Sequence, residues 1–379
     1  MPSVLIAGAS GVVGNAALER VLSRNGWTDV IALSRRVPEV DTVRPFRHLS
    51  VDLRDADNAR AALSDVADVT HLVYAALYEK PGLIQGWQER DQMETNLAML
   101  QHCLEPLLES APLRHVTILQ GTKAYGIHVH PMPVPARERA PRDDHENFYW
   151  LQEDYLKDKA REHGFAWTIL RPQLIIGRPW GVAMNLAPII GVYAAICEEE
   201  GLPFGFTGGI PYVWEAVDAR LVAEVIEWAA ASPAAVNEHF NVTNGDVFEW
   251  RNLWSGMAEI LGVEPGPDDP KSMAEFLEGK DDVWERVVEK HGLRPIPLRE
   301  ILGESHYYAD FCFAYGATEP PPPAFSSRIK LQQAGFTGCH DTQETFNFWL
   351  RDLIHRRVIP RPRSRQSGGS SARAAPAAA

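Results

Sequence analysis

Cysteine is scarce in this chain: four in 379 residues, at positions 103, 197, 312 and 339, with no CxxC pair among them. That spacing supplies neither a disulfide framework nor a zinc site, so no metal is expected, and it fits a reducing compartment such as the cytoplasm. Long apolar runs are missing as well. The most apolar helix-like stretch, Leu186 to Cys197, is much shorter than the ~20 residues that span a bilayer and reads as a core or pocket-lining helix. Met1 is followed by an apolar strand and glycines rather than by a basic region and a long apolar run, so no signal peptide is expected. Positive charge is in deficit, with 37 Lys and Arg against 50 Asp and Glu and a net charge of −13. An acidic globule of this kind disfavours nucleic-acid and anionic-membrane partners. The exception is the end of the chain, where Arg361, Arg363, Arg365 and Arg373 stand among Ser, Gly and Ala without an acid. Residues 361–379 are therefore expected to form a disordered basic tail.

With 45% hydrophobic and 23% charged residues, the rest can bury a sizeable core. Short β-branched runs alternate with longer amphipathic stretches, at Ser3 to Ala7, Asp29 to Leu33, His48 to Val51, Thr70 to Ala75, His115 to Leu119 and Ala166 to Leu170. Apolar runs of that length separated by helical patterns predict an α/β fold, a doubly wound parallel sheet of Rossmann type. A helix from about Ala219 to Ala231 and a strand at His239 to Val242 complete the core after an insertion. Residues 179–212 and 244–360 read as a smaller, mostly helical part. Its Trp250, Trp254, Trp284, Tyr307, Tyr308, Phe311, Phe313 and Tyr315 suit either an aromatic core or an apolar pocket. Four prolines from Pro320 to Pro323 require a loop or polyproline segment.

Directly after the first strand comes Gly8-Ala9-Ser10-Gly11-Val12-Val13-Gly14, a GxxGxxG pattern that opens a helix. Glycines there let the backbone turn, admit a pyrophosphate and bring helix against strand, while the helix N-terminus offers N–H groups. Gly8, Ser10, Gly11, Val12 and Val13 are the expected contacts. The second strand ends in Ser34-Arg35-Arg36, where a site for NAD carries an acid and a 2′-phosphate needs guanidinium groups. That pair argues for NADPH, and residues 1–178, completed by about 213–243, are read as the NADP-binding core. Asp52 and Leu53 end the third strand, placed to meet the adenine amino group and ring; Asp55 reads as a helix cap.

The fifth strand ends in Gln120-Gly121-Thr122-Lys123-Ala124-Tyr125-Gly126, at the sheet edge where such folds hold their reactive ligand. Further on, Asn147-Phe148-Tyr149 opens a helix, with Glu153 four residues after the tyrosine. Short-chain dehydrogenases place Lys at that spacing, where its ammonium lowers the phenol pKa. The literal YxxxK, Tyr155 to Lys159, offers a competing assignment, but it lies about two turns into the helix. Tyr149, near the helix start, is the preferred acid, with Lys123 as the supplier of the displaced cation.

Gly-Thr-Lys after the fifth strand, Asn147-Phe148-Tyr149 with Glu153-Asp154, Arg171-Pro172 with Ile175, Gly177 and Met184-Asn185, and Asn241 to Phe248 together resemble the progesterone 5β-reductase and iridoid synthase group of atypical short-chain dehydrogenases. The resemblance covers nearly all of the chain outside the tail. It implies NADPH-dependent 1,4-reduction of a C=C bond conjugated to a carbonyl, with Tyr149 and Lys123 catalytic and residues 179–212 and 244–360 binding substrate. It also implies that Ala76, Gln120, Pro172, Ile175, Ala183 and Met184 touch the cofactor, beside Lys123 and Tyr149. Plant members continue after the position of Tyr125 with Gly-Pro-Phe, whereas here the chain runs Gly126-Ile127-His128-Val129-His130-Pro131. Small aliphatic or cyclic enones and enals are therefore expected in place of a steroid, and the two histidines read as solvated loop residues. A homodimer is common in the superfamily, though no interface is marked. A carbonyl reductase, an epimerase or dehydratase, and an NADPH sensor without catalysis remain as alternatives on the same fold.

Overall fold

Strand β1 (Val4–Ala7) shows why the sheet forms: Val4 and Ile6 pack into one core cluster and Leu5 and Ala7 into another, on the opposite face. That is the period-two alternation of a strand, here apolar on both sides because helices cover both faces. The computed structural model describes residues 2–362; the expected tail lies, except for its first two residues, outside the described residues. Six further strands join β1: β2 (Val30–Ser34), β3 (Arg47–Ser50), β4 (His71–Tyr74), β5 (His115–Leu119), β6 (Ala166–Pro172) and β7 (Glu238–Val242). All pair in parallel, in the order 7-6-5-4-1-2-3.

Helices α1 (Val12–Leu22) and α6 (Ala219–Ala231) cover the face of Val4 and Ile6, and α5 (Leu186–Glu200) joins the same core cluster from the later part of the chain. Helices α2 (Ala56–Leu63), α3 (Arg90–Ser110) and α4 (Phe148–His163) cover the other. Side-chain caps fix several starts: Asp55 accepts from the Asn58 N–H at 3.0 Å, and Asn147 from the Tyr149 N–H at 3.0 Å. The chain leaves β1 in one direction along the sheet and returns past it to β4, so the two halves diverge between β1 and β4. Such a divergence opens a crevice at the carboxyl ends of the strands.

The later helices, among them Trp250–Leu261, Asp281–His291, Ser305–Cys312 and Thr342–His355, pack on α5. Both readings of their aromatics apply, to different residues. Trp254 stacks on Phe204 with centroids 4.7 Å apart, Phe313 meets Trp250 edge-on at 4.8 Å, and Trp284 donates to the Ile296 carbonyl at 2.9 Å. These form a core. Tyr308 and Phe311 face the crevice instead, while Tyr307 and Tyr315 are exposed. No helix among the described residues is long and apolar enough to cross a membrane.

Candidate active site

The glycine loop after β1 is shaped by close approach. Gly8 has φ +80°, and a β-carbon there would lie 2.6 Å from the backbone of Ala75 and Ala76 at the end of β4. One on Gly14 would collide with the Gly8 carbonyl, so α1 can lie against the strand only without it. Gly11 is the N-cap of α1, with no side-chain cap and no acid in the first turn. The first N–H groups of α1 therefore open into the crevice with the positive end of the helix dipole, a cradle suited to a pyrophosphate.

At the end of β2, Ser34 is fixed by a 2.7 Å hydrogen bond from its hydroxyl to the Arg36 carbonyl and by His48 at 3.2 Å. Arg35 and Arg36 are exposed, and no ion pair is recorded for either among the described residues. Arg36 reaches toward Gly181, where a β-carbon would stand 3.3 Å from its Nη1. Asp52, expected to meet an adenine, is already shared: Arg54 donates to both its oxygens at 2.6 to 3.2 Å and holds the carboxyl below its usual range. Arg54, which also lies over the Tyr78 ring at 5.4 Å, adds a third guanidinium to this end that the sequence reading missed. Asp55 caps α2, as its position suggested.

The other end of the crevice is built by β4, β5 and α4. A β-carbon on Gly121 would lie 3.2 Å from the Tyr149 hydroxyl, so the missing side chain is what lets that phenol stand at the end of β5. No hydrogen bond from the Tyr149 hydroxyl to protein is recorded among the described residues, and the residue lines the cavity. Burial pushes the phenol pKa up, the Glu79 carboxylate adds to the rise and Arg171 opposes it. Tyr149 is thus a protonated donor at neutral pH. Lys123, in the short turn after β5, has a side chain 12% exposed; its Nζ lies 3.5 Å from Glu79 Oε1 and 3.8 Å from the centre of the Trp87 ring.

The competing pair points elsewhere. Tyr155 donates to Glu105 on α3 at 3.3 Å, and Lys159 pairs with Glu162 at 2.8 Å on the exposed side of α4; neither lines the cavity. Glu153, which stands where a lysine is usual, turns into a sheltered polar network. It accepts from Gln120 at 2.9 Å and Lys157 at 2.6 Å, with His239 at 3.2 Å, while Arg171 donates to Gln120 at 2.8 Å. That network anchors the base of Tyr149 from behind.

One cavity of about 460 Å³ collects these groups. Gly8, Ser10, Gly11, Val12, Val13, Ser34, Arg35, Arg36, Asp52 and Leu53 line one end, and Ala76, Gln120, Lys123, Tyr149, Pro172, Ile175, Ala183 and Met184 the remainder. Trp87, Phe148, Trp214, Tyr308 and Phe311 make the far end aromatic. The histidines of the departing loop differ from each other. His130 is exposed and paired with Asp143 at 3.0 Å. His128 is turned inward, edge-on to His145 at 5.0 Å with both ring nitrogens buried, and burial, then the Lys123 charge, pushes its pKa down to about 4. The solvated-loop reading therefore fails for His128. Among the described residues, no group of three or more His, Cys, Asp or Glu could hold a metal ion.

Residues 4–243 match the model of the NAD dependent epimerase/dehydratase family. The chain is 31% identical to (S)-8-oxocitronellyl enol synthase of Antirrhinum majus over 375 residues, covering 94% of this chain and 92% of that protein. It is 32% identical to the 3-oxo-Δ4,5-steroid 5β-reductase of Arabidopsis thaliana over 374 residues, with the same coverage of both. Among solved structures, the UDP-glucose 4-epimerase of Thermus thermophilus in complex with NAD superposes with a TM-score of 0.61 at 19% identity, over 92% of this chain and 98% of that one. The Thermotoga maritima UDP-glucose 4-epimerase with UDP-glucose gives 0.63 at 16%, over 93% and 99%. At those identities the structural likeness establishes the fold.

Proposed function

We propose that this chain, which belongs to the NAD dependent epimerase/dehydratase family and within it to the progesterone 5β-reductase and iridoid synthase-like short-chain dehydrogenases, is an NADPH-dependent reductase of activated C=C bonds. The observation that carries this reading is the Tyr149 hydroxyl, unpartnered among the described residues, at one end of a cavity whose other end is the glycine loop and the Arg35–Arg36 pair. One relative is by name a reductase of 3-oxo-Δ4,5 steroids, in which the C=C bond is conjugated to a ketone.

The residues present fit the cofactor. The uncapped start of α1 suits the pyrophosphate, and two guanidinium groups with no ion pair among the described residues suit a 2′-phosphate. When bound there, NADPH would supply the hydride for the substrate's β-carbon. Tyr149 donates a hydrogen bond to the carbonyl oxygen and strengthens it as negative charge develops there. The Lys123 ammonium stabilises the same charge from a site that excludes most water, where its field is weakly screened. The α-carbon then takes up a proton, leaving a saturated carbonyl compound. Trp87, Phe148, Trp214 and Tyr308 give that end an apolar wall, which suits a small apolar enone or enal. The sugar-nucleotide epimerase reading requires a polar cleft at the same place. We place the protein in the cytoplasm, with no nucleic-acid or membrane partner.

Mixing the protein with NADPH and 2-cyclohexenone, citral or progesterone, and identifying products, tests the assignment. Saturated carbonyl products from the two smaller compounds are expected, with progesterone the poorest substrate. An allylic alcohol as the main product would transfer the protein to the carbonyl reductases.

A further inference from the structure

We propose that Glu79, in the loop after β4, is a positioning residue for the reducing end: its carboxylate fixes the Lys123 ammonium at the cavity edge and keeps it charged. The inference rests on the proposed role of Lys123 and deepens it.

Glu79 is the only carboxylate recorded in an ion pair with Lys123 among the described residues, at 3.5 Å, and its side chain is 4% exposed. Its second oxygen accepts from the Gln92 amide at 2.6 Å. Gln92 is itself locked: it is 1% exposed near the start of α3, and its amide oxygen accepts from the Lys80 N–H at 3.0 Å. Gly86 leaves the room it occupies, since a β-carbon there would collide with the Gln92 amide oxygen. Lys123 also lies over the Trp87 indole at 3.8 Å, and Phe311 closes on that ring edge-on at 5.6 Å. The ammonium therefore has a carboxylate and an aromatic face against it, both of which favour its charged form.

An ammonium this sheltered needs such support. Burial lowers the Lys123 pKa overall, with the Glu79 charge opposing the fall; burial likewise raises the Glu79 carboxyl overall, with Lys123 opposing the rise. The other titratable groups at this end are His128, whose protonation Lys123 opposes, and Tyr149, whose phenol Glu79 and Arg171 influence in opposite senses. None replaces Glu79 as a counter-charge. The sign follows: without the Glu79 charge, Lys123 loses its proton at lower pH, and activity that depends on the ammonium loses its alkaline side first.

Glu79→Gln keeps the shape and a hydrogen bond to Gln92 while removing the charge. The Lys123 titration is read without catalysis, from the lysine ¹³Cε signal assigned by its disappearance in Lys123→Met. In Glu79→Gln its midpoint is expected to fall by at least about one pH unit, from loss of an opposite charge 3.5 Å away. Glu79→Asp should restore much of that shift. An unchanged midpoint in Glu79→Gln would overturn the proposal. Enone reduction is measured in parallel, where kcat in Glu79→Gln should fall roughly tenfold with the alkaline limb displaced to lower pH and NADPH affinity kept. A displaced titration with Lys123→Met still fully active would leave the Glu79 pairing intact and refute the catalytic role of Lys123 instead.

Discussion

Tyr149→Phe should lower kcat for enone reduction by roughly 10²- to 10³-fold, the usual cost of removing one donor to a developing oxyanion. Two side effects are expected to be small, and they separate this result from general damage. Because no hydrogen bond from the hydroxyl to protein is recorded among the described residues, its removal should leave the melting temperature close to that of the parent. Because the ring remains against Gly121 and Phe148, NADPH affinity by fluorescence titration should change little. Tyr155→Phe is the control: that phenol contacts Glu105 on α3, away from the cavity, and activity should fall by less than about twofold, as for a partly exposed surface hydrogen bond. The reverse pattern would assign the wrong tyrosine.

Replacing Arg35 with Asp and Arg36 with Ser should invert the cofactor preference. Charge-assisted hydrogen bonds contribute about 1.5–3 kcal/mol each, so losing two from a 2′-phosphate should weaken NADPH binding by roughly 10²-fold or more. A carboxylate at position 35 also repels the phosphate and can accept from a free 2′-hydroxyl, so NADH should bind better than before. Among the described residues neither arginine is recorded in an ion pair, and the fold should not depend on them. Dissociation constants for both cofactors decide the matter: unchanged NADPH affinity in the double variant would remove the 2′-phosphate from this place.

Most of what could be read from the chain was local. The strand His115–Leu119 and the helix Ala219–Ala231 are observed at the limits their patterns suggest, and the other strands within one or two residues. The glycine loop was legible because its three glycines answer to contacts within one strand-turn-helix unit and the adjoining end of β4. Glu79 was not. It lies in a loop with no motif, and it meets Lys123, 44 residues further on, only because β4 and β5 are neighbours in the sheet. His128 was misread for a similar reason: a polar residue in a Pro- and His-containing loop looks solvated until the loop is folded over Lys123 and His145. The substitution of Glu153 for lysine could be seen as a departure, but its meaning needed β7, whose His239 completes the network behind Tyr149.

Both tyrosine and arginine variants serve one claim, that hydride adds across a conjugated C=C bond while the phenol and ammonium hold the oxygen. The most direct measurement uses NADPH carrying deuterium on the transferable face of C4, with 2-cyclohexenone as substrate and NMR of the product. Deuterium at the β-carbon of cyclohexanone is the predicted result. Deuterium on the carbinol carbon of 2-cyclohexenol would contradict it.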